Sequence, residues 1–135
     1  MLILGFDFGV KYIGVAIGQK ITKTARPVAS ILVSNNNWSG VFKYIYDWSP
    51  STIIVGYPLN EKFKNKVILN KINKFIGLIE SNFTIPVCIV NENLSTWEAR
   101  KMLQCYRKKT QMCFFSLNAI AAQILVEQWL FDSKF

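Results

Sequence analysis

In the first third of the chain, short apolar runs alternate with turn-forming residues at intervals too close for helices. Residues 2–8 and 13–19 are apolar, the second run rich in small side chains, with a turn around Gly9 to Lys11 between them. Arg26-Pro27 leads into a third run over 28–33. Strands spaced this tightly pair as an antiparallel meander. Beyond Asn35-Asn36-Asn37 the period changes. Trp38, Val41, Phe42, Ile45 and Trp48 recur at helical spacing until Ser49-Pro50 ends the stripe. A β-branched run over 52–56 predicts a buried strand, closed by Gly56-Tyr57-Pro58. A second amphipathic helix carries Ile68, Ile72, Phe75, Ile76 and Ile79 on one face, with Lys71, Asn73 and Lys74 off it. Residues 86–90 are the next buried run, and Ser95 with Glu98 makes a capping box for a helix to about Tyr106. A last helix runs from near Leu117 to Leu130. The predicted order is β-β-β-α-β-α-β-α-α. A meander followed by βαβ crossovers requires a mixed sheet with helices on its faces, an α/β fold.

The 135 residues are enough for one ordinary domain, and at 51% hydrophobic they supply a real core. The most apolar stretch, 114–131, is interrupted by Asn118, Gln123, Glu127 and Gln128. It predicts a buried helix and not a membrane span, which needs roughly 18–20 uninterrupted apolar residues. The opening MLILGFDFG shows no basic leader or small-residue cleavage site, and Cys88, Cys105 and Cys113 form no C-x-x-C pair. Both features predict a cytoplasmic protein with free thiols.

Histidine is absent altogether. That excludes imidazole bases, Ser-His and Cys-His nucleophile pairs, and His-based zinc sites. Hydrolytic chemistry here has to rest on carboxylates. The formal net charge of +8, from 16 Lys+Arg against 8 Asp+Glu, draws polyanions, chiefly nucleic acid. An AT-rich coding sequence would also raise the lysine and asparagine content, so charge alone is a weak pointer.

Of the carboxylates, Asp47, Glu80 and Glu127 fall on or near polar helix faces, Glu98 caps a helix, Glu61 lies in a lysine-rich loop and Asp132 in the tail. These are ordinary solvated positions. Asp7 and Glu92 differ, because each ends an apolar strand, in LILGFD and VCIVNE. A carboxylate there is desolvated unless something positive compensates it. On neighbouring parallel strands the two would converge at the carboxyl edge of the sheet, where α/β folds place ligands. Mg²⁺ or Mn²⁺ is the natural compensator for oxygen donors. The pattern alone leaves equal room for two acids that merely cap adjacent turns. A D-x-G hairpin such as Asp7-Phe8-Gly9 also opens the phosphate lobe of actin-like ATPases, but two such lobes do not fit in this length.

Several motifs occur together in order: Phe6-Asp7-Phe8-Gly9 with Ile13-Gly14-Val15-Ala16, Thr24-Ala25-Arg26-Pro27, and Ile54-Val55-Gly56-Tyr57-Pro58-Leu59-Asn60. Asn91-Glu92-Asn93-Leu94-Ser95-Thr96 with Glu98-Ala99 follows, then Ala119-Ile120-Ala121-Ala122. In this the chain resembles, end to end, the YqgF family of pre-16S ribosomal RNA nucleases, also described as Holliday-junction-resolvase-like proteins. The resemblance implies a ribonuclease-H-like fold, with a mixed five-stranded sheet flanked by helices in one domain. It also implies a divalent-metal site of three acids, in which ions roughly 3.5–4 Å apart activate water and stabilise the leaving oxygen.

Asp7 and Glu92 match the first two acids. The third position reads Asn118, which offers a carbonyl oxygen without the charge and is equally well placed as an N-cap for the last helix. Asn91 is a second departure, where the family usually has another acid. Arg26 matches a family motif and ranks first among the basic residues for contact with nucleic acid. Lys62, Lys64 and Lys66 after the Pro58 turn, and Arg107, Lys108 and Lys109 before the last helix, are further candidates for phosphates. Trp38, Trp48, Trp97 and Trp129 lie on apolar stripes and are expected in the core.

The sequence therefore predicts a metal-dependent nuclease of ribosomal RNA maturation, with Asp7, Glu92 and Asn118 holding Mg²⁺ or Mn²⁺. A ribosomal RNA precursor is the expected partner ahead of a DNA junction, with no membrane partner, and the protein is expected as a monomer or weak homodimer. Two other readings stand beside this one. In the first, a nucleic-acid-binding module has lost turnover through Asn118. In the second, the chain is a Holliday-junction resolvase.

Overall fold

A computed structural model describes residues 1–9, 11–33, 38–57, 66–91 and 117–132. Its elements run β1 (Leu2–Phe8), β2 (Tyr12–Gln19), β3 (Thr24–Leu32), α1 (Ser39–Trp48), β4 (Thr52–Tyr57), α2 (Lys66–Asn82), β5 (Val87–Asn91) and α3 (Leu117–Asp132). The strands make one five-stranded sheet in the order β3-β2-β1-β4-β5. β1–β2 and β2–β3 are antiparallel, whereas β1–β4 and β4–β5 are parallel. This is the mixed sheet that a meander followed by crossovers demands. The helix expected over 95–106 lies outside the described residues.

Period-two alternation sends apolar side chains to both faces, so β1, β2 and β4 read as near-continuous hydrophobic runs. Leu4, Phe6, Ile13, Val15, Ile17, Ile53 and Val55 pack with Val41 and Ile45 of α1 and with Ile72, Phe75 and Ile79 of α2. Phe75 centres this layer. Its ring meets Phe6 edge-on at 5.5 Å, with Phe8 at 5.4 Å and Trp38 at 5.5 Å. On the other face, Ile3, Ala16, Ile54 and Val90 pack with Ala122, Leu125, Val126 and Leu130 of α3. α3 is apolar around most of its circumference, and Ile120 and Ile124 are buried as well. A helix of that kind has to be enclosed. Among the described residues, no helix is long and apolar enough to cross a membrane.

Ser49-Pro50 stops α1 as the sequence predicts. Ser49 takes a left-handed conformation (φ 44°, ψ 58°), and its N–H donates to the Ile45 carbonyl at 3.0 Å. One boundary differs. β3 begins at Thr24, not after Arg26-Pro27, so the proline lies within a strand. Val15 pairs with Ala29 and Ala16 with Pro27, leaving Val28 as an extra residue in a bulge. β3 is an edge strand, and an edge with a bulge is where a residue lacking an N–H is tolerated.

Phe75→Ala removes the aromatic centre of the larger layer and is expected to destabilise by about 3–5 kcal/mol. Gly77 is exposed on α2 and an added Cβ there meets nothing within 4 Å. Gly77→Ala is expected to stabilise by about 0.5–1 kcal/mol, because glycine loses more backbone freedom in a helix. Urea unfolding midpoints of the two variants should move in opposite directions.

Candidate active site

Alternation along β1 decides which way its terminal carboxylate lies. Ile3 packs against α3, and a Cβ added at Gly5 would run into Val126 of α3. Asp7, two residues on, therefore shares the α3 face, and it is half-buried. It stands at the carboxyl end of β1, whose neighbours are β2 on one side and β4 on the other. The chain leaves β1 toward β2 and later returns to β4. This is the kind of switch point at which open α/β sheets bind ligands.

Directly opposite Asp7 in the antiparallel ladder is Gly14. A Cβ on Gly14 would collide with the backbone carbonyl of Asn118 and come within 2.7 Å of the Ala119 nitrogen. The first turn of α3 thus rests on bare strand backbone, one strand over from Asp7. Only glycine permits that approach. The fold brings Asp7 and Asn118 to neighbouring positions, although 111 positions separate them in the sequence. The amino end of a helix carries partial positive charge, which favours a carboxylate placed there.

Helix α3 begins at Leu117, so Asn118 occupies its first turn and not the N-cap position. The row continues on either side. Gly14 pairs with Ser30 of β3, whose hydroxyl is buried without a hydrogen-bond partner among the described residues. Ser30 has no sequence signal, since a lone serine in a strand reads as ordinary. On the other side, Val55 pairs with Phe6, so Gly56 is the next residue along as Asp7 is, and Gly56 pairs with Val90 of β5.

β5 ends at Asn91, and Glu92 lies outside the described residues, as do Lys62, Lys64, Arg107, Lys108 and Lys109. Among the described residues, no three His, Cys, Asp or Glu side chains gather as a metal site. What the described part contributes is one carboxylate, one amide residue and a helix amino end. Asp7 and Asn118 offer oxygen donors of the kind a hard divalent cation takes.

Arg26 is placed elsewhere. It pairs with Ile17, so it shares the α1 face, and Ile17 is three residues, roughly 10 Å, along β2 from Gly14. Its guanidinium lies 5.8 Å from the centre of the Trp48 ring. Trp38 and Trp48 pack against the layer beneath α1 and α2, and Trp129 packs against the layer beneath α3. Trp129 also meets the Lys20 ammonium at 5.7 Å.

A family described as "RuvX: Holliday junction resolvase" matches residues 1–132. A Proteus mirabilis protein named "Putative pre-16S rRNA nuclease" is 36% identical over 129 residues, covering 94% of this chain and 93% of that one. A Buchnera aphidicola protein of the same name is 37% identical over 131 residues, covering 96% and 97%. In fold, the chain is similar to the T. thermophilus RuvC solved in complex with a Holliday junction substrate. That likeness has TM-score 0.68 and 11% identity, and covers 97% and 94% of the two chains. The fowlpox virus Holliday junction resolvase matches with TM-score 0.61 and 18% identity, covering 98% and 100%. The sheet and its flanking helices are thus a ribonuclease-H-like fold, as the motifs imply.

Gly14→Ala forces a methyl into the first turn of α3, where backbone and not a flexible side chain stands in the way. It is expected to destabilise by about 1–3 kcal/mol or more. Thermal melts followed by circular dichroism would measure that loss. A Gly14→Ala protein as stable as the parent would mean that α3 does not sit on this backbone.

Proposed function

The chain belongs to the RuvX (YqgF) family, and on that premise we propose that it is a metal-dependent nuclease processing the 5′ end of pre-16S ribosomal RNA. The observation that carries the reading is the juxtaposition of Asp7 with the first turn of α3 over Gly14, at the switch point of the sheet. Two further features support it: the relatives bear the name of pre-16S rRNA nuclease, and the net charge of +8 suits a polyanionic substrate.

In this reading Asp7, Glu92 and Asn118 hold Mg²⁺ or Mn²⁺ through oxygen atoms. The chemistry a divalent cation supplies at such a site is Lewis-acid polarisation of the phosphoryl oxygens. The chain supplies the rest. Asp7 provides a carboxylate at a half-buried edge, where the partial positive charge at the amino end of α3 favours the ionised form. The bare backbone beside it at Gly14 keeps Asn118 close. Lys62, Lys64, Arg107, Lys108 and Lys109 hold the phosphates of the strand and set its register without reading bases. The reaction is assigned to the cytoplasm, where a thiol such as that of Cys88, free among the described residues, stays reduced.

Asn118 favours a second reading, a nucleic-acid-binding module with little turnover. A neutral amide in place of a carboxylate weakens the hold on a divalent cation. A Holliday-junction resolvase is a third reading, and it requires preference for four-way DNA junctions over single-stranded RNA.

Cleavage of precursor-like RNA is expected with Mn²⁺ and not with chelator. Asp7→Asn should reduce it by at least about a hundredfold, more than the loss of a supporting residue around a metal. Asn118→Asp should raise the rate and lower the Mn²⁺ concentration needed. If the parent protein does not cut and Asn118→Asp does, the binding-module reading replaces the nuclease one. Faster cutting of a four-way DNA junction than of RNA would select the resolvase.

A further inference from the structure

A groove of about 380 Å³ opens on the α1 side of the sheet, at the end opposite Asp7. It lies between the start of β1, the paired ends of β2 and β3 and the last turn of α1, and is lined by Leu2, Ile17, Gln19, Thr24, Arg26 and Trp48. Its volume falls at the small end of the roughly 300–1,000 Å³ typical of small-molecule sites. The trough is apolar, with Ile17 buried and Leu2 and Trp48 half-buried, whereas Gln19, Thr24 and Arg26 on the rim are exposed.

Arg26 is set in an unusual way for a surface cation. Its guanidinium lies over the Trp48 ring, while among the described residues no hydrogen bond or ion pair engages its N–H donors. A carboxylate partner would have neutralised the fork. The ring orients it and, among the described residues, leaves the charge available. Arginine presents a planar array of donors that matches phosphate oxygens two at a time. Beside it are an aromatic wall, an apolar trough and a rim amide at Gln19. Together these meet the two halves of one ligand chemistry, a phosphate and a flat base.

We propose that this groove is a subsite for a nucleoside phosphate, with the phosphate on Arg26 and the base in the trough against Trp48. The ligand is either a free mononucleotide or one nucleotide of a longer strand. The second source rests on the nuclease reading above. Arg26 and Asp7 lie on opposite faces of the sheet, so a strand engaging both passes around the edge at β3.

The test is a binding titration of the full chain in chelator, where nothing is cut and loss of nuclease activity does not affect the result. Adenosine monophosphate and a single-stranded RNA are added separately, and tryptophan fluorescence is read. Saturable quenching by one or both is expected. Trp48→Phe should lose that quench, and Arg26→Gln should weaken binding by about tenfold or more. Arg26→Lys should fall between, since it keeps the charge and loses the fork. Circular dichroism melts confirm that each variant is folded, and Arg26→Lys serves if Arg26→Gln is not. Arg26-dependent binding of the mononucleotide identifies a free-nucleotide site, and Arg26-dependent binding of RNA alone identifies a strand contact. If neither ligand quenches the parent protein, or if both bind the Arg26 variants unchanged, Arg26 is only packed on Trp48 and the proposal fails.

Discussion

The close seating of α3 on strand backbone at Gly14 is the constraint from which the arrangement of this molecule follows. The two faces of the sheet are built to different thicknesses. The face toward α1 and α2 is filled by Phe6, Phe75, Ile13, Ile45 and Ile79, whereas the face toward α3 has Gly5, Gly14 and Ala16 opposed by Ala119 and Ala122. Small residues on both sides let a helix backbone approach a sheet backbone closely, and dense packing leaves little room for compromise. One polar side chain helps to set the helix on that surface. Gln123, 7% exposed, donates from Nε2 to the Ala25 carbonyl at 3.1 Å and to Glu127 Oε1 at 3.0 Å. Both partners are acceptors, so the amide nitrogen has to face them, and the Gln123 Oε1 is left buried without a partner among the described residues. The bond to Ala25 ties α3 to the edge strand.

How much of this was legible in the sequence depends on whether the signal was local. The meander, the crossovers and the buried last helix follow from hydrophobic period, which is a property of each segment by itself. The Ser49-Pro50 stop is local too. The sequence pattern starts β3 after Pro27, and proline normally is excluded from a strand interior. What admits Pro27 is the edge position of β3 and the bulge at Val28, and both belong to the assembled sheet. Asp7 stood out as a carboxylate ending an apolar run. Its nearness to Asn118 did not, because it is produced by a helix resting on a glycine far away in sequence. The motif resemblance supplied that pairing where periodicity had none to give. Ser30 carried no signal at all.

The separation of Arg26 from Asp7 has the same origin. In the sequence, Arg26 is simply the basic residue of a motif. In the sheet, its register with Ile17 fixes both its distance from Gly14 and its face. A residue on an antiparallel strand shares the face of its directly opposed partner, so no change of rotamer brings Arg26 to the carboxyl edge. Sequence reasoning that groups basic residues by type cannot see this, since one step of register decides between the two faces.

The residue at 118 also bears on the electrostatic balance at that edge. With an acid at 118, a second carboxylate would stand one strand over from Asp7, and each would raise the cost of ionising the other. The single amino end of α3 supplies only about half an elementary charge, too little to offset both. A chain built that way depends on a bound cation for comfort at this edge. With the neutral amide, Asp7 is the only carboxylate among the described residues there. In the proposed site, a neutral amide at 118 would hold a cation less tightly than an acid and would ask less of one in return.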